Sequence, residues 1–564
     1  MKIHDDLSIV LCGEAGQGIQ TIEAALTSIL KKAGYYIFAT KEYMSRVRGG
    51  CNSTEIRVSS RNVTAYLDRI DILIPLSSQA ILHLQKRISS DTLIVCNKEK
   101  ASGFKVFDAD FSGLAKEFGA VYESAAAIGF VLAILKVNSD YYVNYFNRRF
   151  AAKEKDVIEK NIAAAKKGYA LGELFLTSGN IDLAIQKTEA VQNEILVNGA
   201  KAIALGAVAG GCNLISSYPM SPGTGVLNHL AEYSTIFDIV VEQAEDEIAA
   251  INMALGAWYA GARGMVTTSG GGFALMCEGL SLAGITETPV VICLGQRPGP
   301  ATGLPTRTEQ GDLNLALFAG HGEFPRIIFA PGTLTEAFYL TQKAFYFADK
   351  YQIPVILLAD QYFMDSECLV KPFDPFIFKQ DKNFIMETKQ GYKRYQFTDD
   401  SISPRGIPGF GEGIVCVDSD EHTEEGYITE DFDLRIKMVD KRWQKIEPLF
   451  AEAVEPTFIG NGDAKNLVVC WGSNFHIVKE ALEKINNSNM SLLHFSQIFP
   501  LPETWNSYFK NAEQIVVIEN NMTKQFSELL QQKLNVKVNF NINKYNGLPF
   551  SVEEVTTLLL QKLK

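Results

Sequence analysis

No C-x-x-C pair occurs anywhere in the 564 residues, although the chain has nine cysteines. An odd, scattered set excludes a disulfide framework, and without clustered thiols the chain offers neither a structural zinc site nor a cradle for an iron-sulfur cluster. Most of the nine are expected to be small apolar side chains inside a reduced protein, and no metal ligand is assigned to this chain. Long apolar runs are missing too. Nothing approaches the roughly 18 residues that cross a bilayer, so no membrane role is expected. The start, MKIHDDLSIVLCGEAG, lacks the basic region, long apolar stretch and small-residue cleavage site of a secretory signal. These absences give an expectation of the cytoplasm. Positive charge is also in deficit, with 53 Lys and Arg against 65 Asp and Glu and a net charge of -12. Such a chain repels a phosphate backbone, and no local basic patch compensates, so nucleic acid is excluded as a partner. Small acidic substrates must be held by individual cations.

What is present is an ordinary globular composition, 47% hydrophobic and 21% charged, in a chain long enough for about three to four domains. Short apolar runs alternate with amphipathic stretches, which predicts an α/β fold class. LSIVLCG, IDILIPL and TLIVCN read as strands of a small α/β domain over residues 1–180. NLISSYP, FDIVVEQ, GMVTTSG, TPVVICLG and IPVILLAD read as strands of a second over 190–371, and the continuously apolar VVICLG suits a parallel sheet covered on both faces. Residues 372–455 turn polar and irregular and read as a connector. The alternation resumes in NLVVCWGS, SLLHFSQIFP and EQIVVIENN, giving a third α/β domain over 456–564.

Five segments carry chemistry. Gly13-Glu14-Ala15-Gly16-Gln17-Gly18 lies between a predicted strand and helix, where backbone N–H groups can receive phosphate; a plain tight turn explains it equally well. Arg46-Val47-Arg48-Gly49-Gly50 adds cations that suit a phosphorylated carrier such as coenzyme A, or simply a solvated basic loop. Tyr218-Pro219-Met220-Ser221-Pro222 follows a predicted strand at the edge where α/β sheets bind ligands, and its prolines restrict where the Ser221 hydroxyl can stand. Glu242-Gln243-Ala244-Glu245-Asp246-Glu247 opens a predicted helix, IAAINMALGA, that is apolar on nearly every side. Acidic residues there fit helix capping, yet whichever carboxylate faces inward is suited to a proton-linked role. Thr267-Thr268-Ser269-Gly270-Gly271-Gly272-Phe273 and the long loop from Gln296 through Arg297, Thr302 and Arg307 to Asp312 each follow a strand. The first lets backbone approach a flat ligand; the second offers two guanidinium forks for a carboxylate.

Taken together, GEAGQG, RVRGG, YPMSP, AEDEIAAINMALGA, TTSGGGF and QRPGPATGLPTRTEQGDL resemble the 2-oxoacid:ferredoxin oxidoreductase family, in the form where a small gamma domain is fused ahead of the alpha subunit. SPRGIPG with EHTEEGYITED resembles that family's connector. The resemblance implies a thiamine-diphosphate pyrimidine-binding fold over 190–371 and a transketolase C-terminal-like domain at the end. It implies oxidative decarboxylation of a 2-oxoacid to acyl-CoA and CO₂ with reduction of ferredoxin, and 2-oxoglutarate ranks ahead of pyruvate, branched-chain and aryl oxoacids. It also implies that Glu247 is the catalytic glutamate at N1′ of the thiamine aminopyrimidine. Ser269, Gly270, Gly271 and Phe273 then line the cofactor, while Tyr218, Ser221, Arg297, Thr302 and Arg307 face the substrate, with Arg297 favoured over Arg307 for its carboxylate. Ser221 stands where the family usually has threonine, in YPITP. Gly13, Gly16, Gly18 and Arg48 are the gamma-domain candidates for coenzyme A.

One further absence acquires meaning beside this resemblance. Thiamine enzymes hold the diphosphate and Mg²⁺ with a GDG segment, and the chain has none. Both Mg²⁺ and the [4Fe-4S] cluster are therefore expected on a beta subunit, with thiamine diphosphate shared between the two chains as a heterodimer or dimer of heterodimers. A transketolase-like carbon-transfer enzyme or a non-catalytic scaffold subunit are the alternatives from other classes.

Overall fold

The computed structural model describes residues 2–3, 5–45, 50–101, 103–179, 181–376 and 385–563. They fall into two compact units. The first comprises Met1–Val197, Asp365–Pro372 and Ser551–Glu554; the second holds Asn198–Met364, Phe373–Phe550 and Val555–Lys564.

The first unit is built on an eight-stranded sheet, in the order Val106–Asp108, Leu93–Cys96, Ile72–Pro75, Asp6–Glu14, Cys51–Ser59, Tyr36–Glu42, Glu367–Val370 and Ile195–Asn198. The apolar runs read from sequence are its parallel side, while Cys51–Ser59 pairs antiparallel with both Asp6–Glu14 and Tyr36–Glu42. Strand Glu367–Val370 joins this sheet beside Tyr36–Glu42, so the expected segment 190–371 divides at its end. One face is covered by the wholly buried helix Glu123–Ile134, packed on Lys155–Thr177. Glycine makes that approach possible from both sides. A Cβ on Gly129 would collide with the Ala165 carbonyl, and one on Gly168 with the Ala126 carbonyl.

The second unit carries a seven-stranded sheet, ordered Val240–Gln243, Leu214–Ser217, Gly264–Ser269, Val290–Gln296, Pro354–Asp360, Ile327–Phe329 and Gln497–Phe499. All neighbours are parallel except the last pair. Gly264–Ser269, Val290–Gln296 and Pro354–Asp360 are buried along their whole length, as continuous apolar strands covered on both faces must be. A five-stranded sheet follows, ordered Thr457–Ile459, Met490–Phe495, Asn466–Trp471, Gln514–Glu519 and Phe540–Asn543. Val266, Ile292 and Leu313 share one core with Trp471, Phe495 and Phe526, so no packing boundary separates the two sheets.

The polar connector is fastened by buried charge as well as by apolar side chains such as Tyr395, Met438 and Leu449. Its helix Phe432–Gln444 and the residue after it bring Lys441 and Lys445 to Glu287, a residue 1% exposed. Lys441 Nζ donates to one carboxylate oxygen at 2.6 Å and Lys445 Nζ to the other. Arg394 donates to the Glu287 carbonyl at 2.7 Å. All nine cysteines are free thiols, seven of them buried and two half-buried. Among the described residues no helix is long and apolar enough to cross a membrane.

Candidate functional site

Four neighbouring parallel strands of the seven-stranded sheet end on the same edge, and each delivers one of the predicted segments there. Leu214–Ser217 leads into the turn holding Tyr218 and Ser221, Val240–Gln243 into the Glu247 helix, Gly264–Ser269 into helix Gly270–Leu275, whose first turn is formed by the three glycines expected to be a loop, and Val290–Gln296 into the arginine loop. Small residues let these loops close on one another. A Cβ on Gly295 would stand 2.7 Å from Pro222 Cγ, and one on Gly223 3.1 Å from the Thr268 backbone.

Glu247 is the first residue of helix Glu247–Tyr259 and only 3% exposed, whereas Glu242 and Glu245 face solvent. Capping is done by its neighbour: Asp246 accepts from the Ala249 N–H at 2.7 Å. The Glu247 carboxyl is thereby left for other use. Its Oε1 is buried and has no hydrogen-bond partner among the described residues. A Cβ on Gly272 would stand 2.6 Å from that oxygen, so the glycine turn presents bare backbone to the carboxyl. An orphaned buried carboxyl beside backbone without side chains fits the edge of a planar heterocycle that can share a proton. Within this chain helix Glu247–Tyr259 is covered over part of its surface only. Ile248 and Met253 are 47% and 40% exposed, while Ala250, Ile251, Ala254 and Leu255 are buried.

Arg297 and Ser221 are brought together: Arg297 Nη1 donates to the Ser221 carbonyl at 2.9 Å. Burial pulls the guanidinium below its usual pKa, against the attraction of Asp312. The Ser269 hydroxyl donates to the Met220 sulfur at 2.6 Å, tying the glycine turn to the Tyr218–Ser221 turn. Gly270 lies against Asp312, and Gly271 near the Ala301 carbonyl. Phe273 goes elsewhere: its side chain is wholly buried in the core. Tyr218 and Thr302 are exposed. Arg307 sits at the far end of its loop, where a Cβ on Gly547 would stand 3.2 Å from the Arg307 Cβ. The two arginines therefore have different surroundings, one on the Ser221 turn and one beside the last segment of the chain.

The arginine loop is clamped at one residue whose importance the sequence did not reveal. Gln310, 1% exposed, donates from Nε2 to the Trp471 carbonyl at 3.0 Å and accepts on Oε1 from Asn474 Nδ2 and the Asn520 N–H, both at 2.9 Å. Its partners lie more than 150 positions downstream, beyond the reach of any local pattern. Gln310→Ala is expected to cost about 2 to 3 kcal/mol, because two buried donors and one carbonyl lose their partner together. Urea unfolding of the purified chain measures it; a loss under about 0.5 kcal/mol would mean that the loop is held by its backbone contacts alone.

In the first unit, Gly13, Gly16 and Gly18 form a turn folded around their own glutamine. Gln17 Oε1 accepts from the Glu14 N–H at 2.7 Å, and Gln17 Nε2 reaches the Leu76 carbonyl at 3.4 Å. Gly16 and Gly18, at φ 99° and 77°, occupy the left-handed region that other residues avoid. Helix Ile19–Lys32 begins there without a side-chain cap. Arg48 lies outside the described residues.

Two family models match the chain: "Pyruvate ferredoxin/flavodoxin oxidoreductase" over residues 8–171, and the thiamine-diphosphate-binding region of pyruvate flavodoxin/ferredoxin oxidoreductase over 205–441. A 2-oxoacid:ferredoxin oxidoreductase alpha subunit from Sulfolobus is 30% identical over 99% of this chain and 97% of its own length. The 2-oxoglutarate oxidoreductase subunit KorA of Mycobacterium tuberculosis is 25% identical over 98% of this chain and 90% of its own. Among solved structures, the 2-oxoglutarate:ferredoxin oxidoreductase of Magnetococcus marinus, with 2-oxoglutarate, coenzyme A and succinyl-CoA bound, matches at a TM-score of 0.92 and 27% identity, covering all of both chains.

Proposed function

From the premise that this chain belongs to the 2-oxoacid:ferredoxin oxidoreductase family, we propose that it forms the pyrimidine half of a thiamine-diphosphate site completed by a second chain. The chain is a subunit of an enzyme that oxidatively decarboxylates a 2-oxoacid to an acyl-CoA and CO₂ and passes the electrons to ferredoxin. The observation that carries the site assignment is the orphaned Glu247 oxygen against Gly272, at the sheet edge where Arg297 meets the Ser221 turn.

When bound, thiamine diphosphate supplies a carbon nucleophile and an electron sink for decarboxylation. Glu247 holds a proton at the pyrimidine N1′, in a position screened from water. Gly270, Gly271 and Gly272 let the ring approach backbone. Arg297 orients the substrate by its 2-oxoacid carboxylate, with Ser221 and Tyr218 beside it, and Thr302 and Arg307 complete the substrate loop. The Gly13–Gly18 turn and Arg48 contact coenzyme A. A beta subunit brings the diphosphate and Mg²⁺ site and the [4Fe-4S] cluster, for which this chain has no GDG segment and no clustered cysteines. The complex works in the cytoplasm, where nine free thiols stay reduced. 2-Oxoglutarate is the favoured substrate, as in the names of two of the relatives.

Arg297→Ala is the test. In the complex with its partner chain, the KM for 2-oxoglutarate is expected to rise roughly tenfold to a hundredfold while that for coenzyme A stays within about twofold, because a charge-assisted hydrogen bond worth about 1.5 to 3 kcal/mol is lost. Arg307→Ala is the control. A KM shift confined to the control would transfer the carboxylate to Arg307, and a wild-type panel of pyruvate, branched-chain and aryl oxoacids ranks the substrates.

A further inference from the structure

In the five-stranded sheet the parallel strands Asn466–Trp471 and Gln514–Glu519 end on one edge, the kind of edge where α/β sheets take ligands. Here the end of the arginine loop occupies it. Besides the side-chain bonds of Gln310 to Trp471, Asn474 and Asn520, the Gln310 N–H donates to the Asn520 carbonyl at 2.7 Å, and Asn521 Nδ2 donates to the Gln310 carbonyl at 3.1 Å. The last segment of the chain therefore grips the loop by its backbone.

Next to this grip stands Gln525, 8% exposed and the first residue of helix Gln525–Leu534. Its Nε2 donates to the Gly311 carbonyl and its Oε1 accepts from the Asn314 N–H, both at 2.9 Å. Asn314 is the second residue of the short helix Leu313–Phe318, whose own N-cap residue, Asp312, makes no side-chain capping bond. Gln525 supplies from 211 positions away the acceptor that an N-cap side chain ordinarily provides. The Asp312 carboxyl is left to turn onto the glycine turn, where a Cβ on Gly270 would collide with its Oδ1 and stand 2.7 Å from its Oδ2.

The bracket is itself fixed. The Gln525 N–H donates to Asn521 Oδ1 at 3.3 Å, and the wholly buried Glu519 accepts from the Phe526 and Ser527 N–H groups at 3.0 and 3.2 Å. At the other end of the loop Arg297 is held on the Ser221 carbonyl, and the Asp312 N–H closes the loop by donating to Gln296 Oε1 at 3.2 Å. Residues 299–304 between these anchors are exposed. A span hung between two fixed points takes its position from both.

We propose that Gln525 is a positioning residue for the 2-oxoacid: by bracketing Gly311 and Asn314 it sets the span that begins at Arg297 and keeps Asp312 on Gly270. The inference rests on the reading of the arginine loop as substrate-facing. Gln525 offers no group to the chemistry, because both ends of its amide are engaged by loop backbone. The bracket needs a donor and an acceptor on one side chain, which an amide has and a carboxylate lacks. Its loss should loosen the substrate loop and leave the reacting groups in place.

The experiment measures kcat and KM for 2-oxoglutarate, and KM for coenzyme A, in the complex with the partner chain, for wild type, Gln525→Met, Gln525→Glu, Arg297→Ala and Arg307→Ala. Gln525→Met keeps the length of the side chain and removes both bonds. Its KM for 2-oxoglutarate is expected to rise roughly five- to twentyfold, with kcat and the KM for coenzyme A within about twofold of wild type. Gln525→Glu keeps the acceptor for the Asn314 N–H and loses the donor to Gly311, and its KM for 2-oxoglutarate should lie between the two. If the methionine variant does not fold, the glutamate variant decides: a KM raised for 2-oxoglutarate alone supports the proposal, and a wild-type KM overturns it. If neither arginine variant shifts the KM, the loop does not face substrate and the inference falls with that reading. If an arginine variant raises it while Gln525→Met leaves it unchanged, or raises the KM for coenzyme A equally, Gln525 is a packing residue and the proposal is overturned.

Discussion

Glu247→Gln is expected to lower turnover of the assembled complex a hundredfold or more, on the order of 3 kcal/mol of barrier, while assembly is retained. Glutamine has the volume of glutamate and can occupy the same buried space beside Gly272. What it lacks is an exchangeable proton of suitable acidity. The amide can accept or donate a hydrogen bond at the pyrimidine edge but cannot transfer the proton that general acid–base work requires. The loss should therefore fall on kcat with little change in the KM for the 2-oxoacid, the signature of an interaction made in the reacting state. Dye reduction coupled to decarboxylation, at saturating thiamine diphosphate, measures turnover, and gel filtration with the partner chain measures assembly. Near-wild-type turnover would leave Glu242, Glu245 and Asp246 as carboxyls from the same segment, and of these the two glutamates face solvent while Asp246 caps the helix.

Glu287→Gln is expected to destabilise the second unit by about 3 to 5 kcal/mol, enough to threaten folding at 37 °C in a protein of ordinary stability. Burial alone would raise the pKa of Glu287; Lys441 and Lys445, with Arg394, overcome it and hold the carboxylate well below its usual range. Neutralising the one acidic group leaves two buried ammonium ions, 2% and 1% exposed, with no counter-charge. Unpairing a buried charge costs much more than the intact pair contributes, so the replacement is far worse than removal of a surface ion pair. The same geometry fixes the sign of the acid response. A carboxyl whose folded pKa is depressed contributes stability that is fully present above its unfolded pKa and is lost as pH falls below about 4. Guanidinium unfolding at pH 7 and pH 3 should thus show a smaller gap between variant and wild type at the lower pH. A gap under about 1 kcal/mol at pH 7 would mean that the lysines find other partners or shed their protons.

The sequence by itself determined the α/β class, most strands of the three large sheets, and the segments that reach the active edge. It could do so because each of those signals is local. VVICLG is apolar from end to end since its strand is covered on both faces, YPMSP follows its strand directly, and TTSGGG and QRPG each begin on the last residues of theirs. The family resemblance rested on the same local runs. The charge and spacing of the Glu242–Glu247 segment left open which carboxylate faces inward, and the family resemblance implied Glu247.

Only the tertiary structure decided the rest. It selected Glu247 by burial and left Glu242 and Glu245 to solvent, and it freed the selected side chain by giving the cap to Asp246. It separated Arg297, bonded to the Ser221 turn, from Arg307 beside Gly547, and it sent Phe273 into the core. It carried Glu367–Val370 into the sheet of the first unit and merged the core of the last segment with that of the seven-stranded sheet. Gln310 and Asp312 gained their meaning in the same way, one from Trp471, Asn474 and Asn520, the other from Gly270. The physical reason is common to all of these. Strand and turn propensities are set by neighbours a few residues away, whereas burial, orphaned hydrogen-bonding capacity and the pairing of charges depend on groups that meet only when distant parts of the chain have packed.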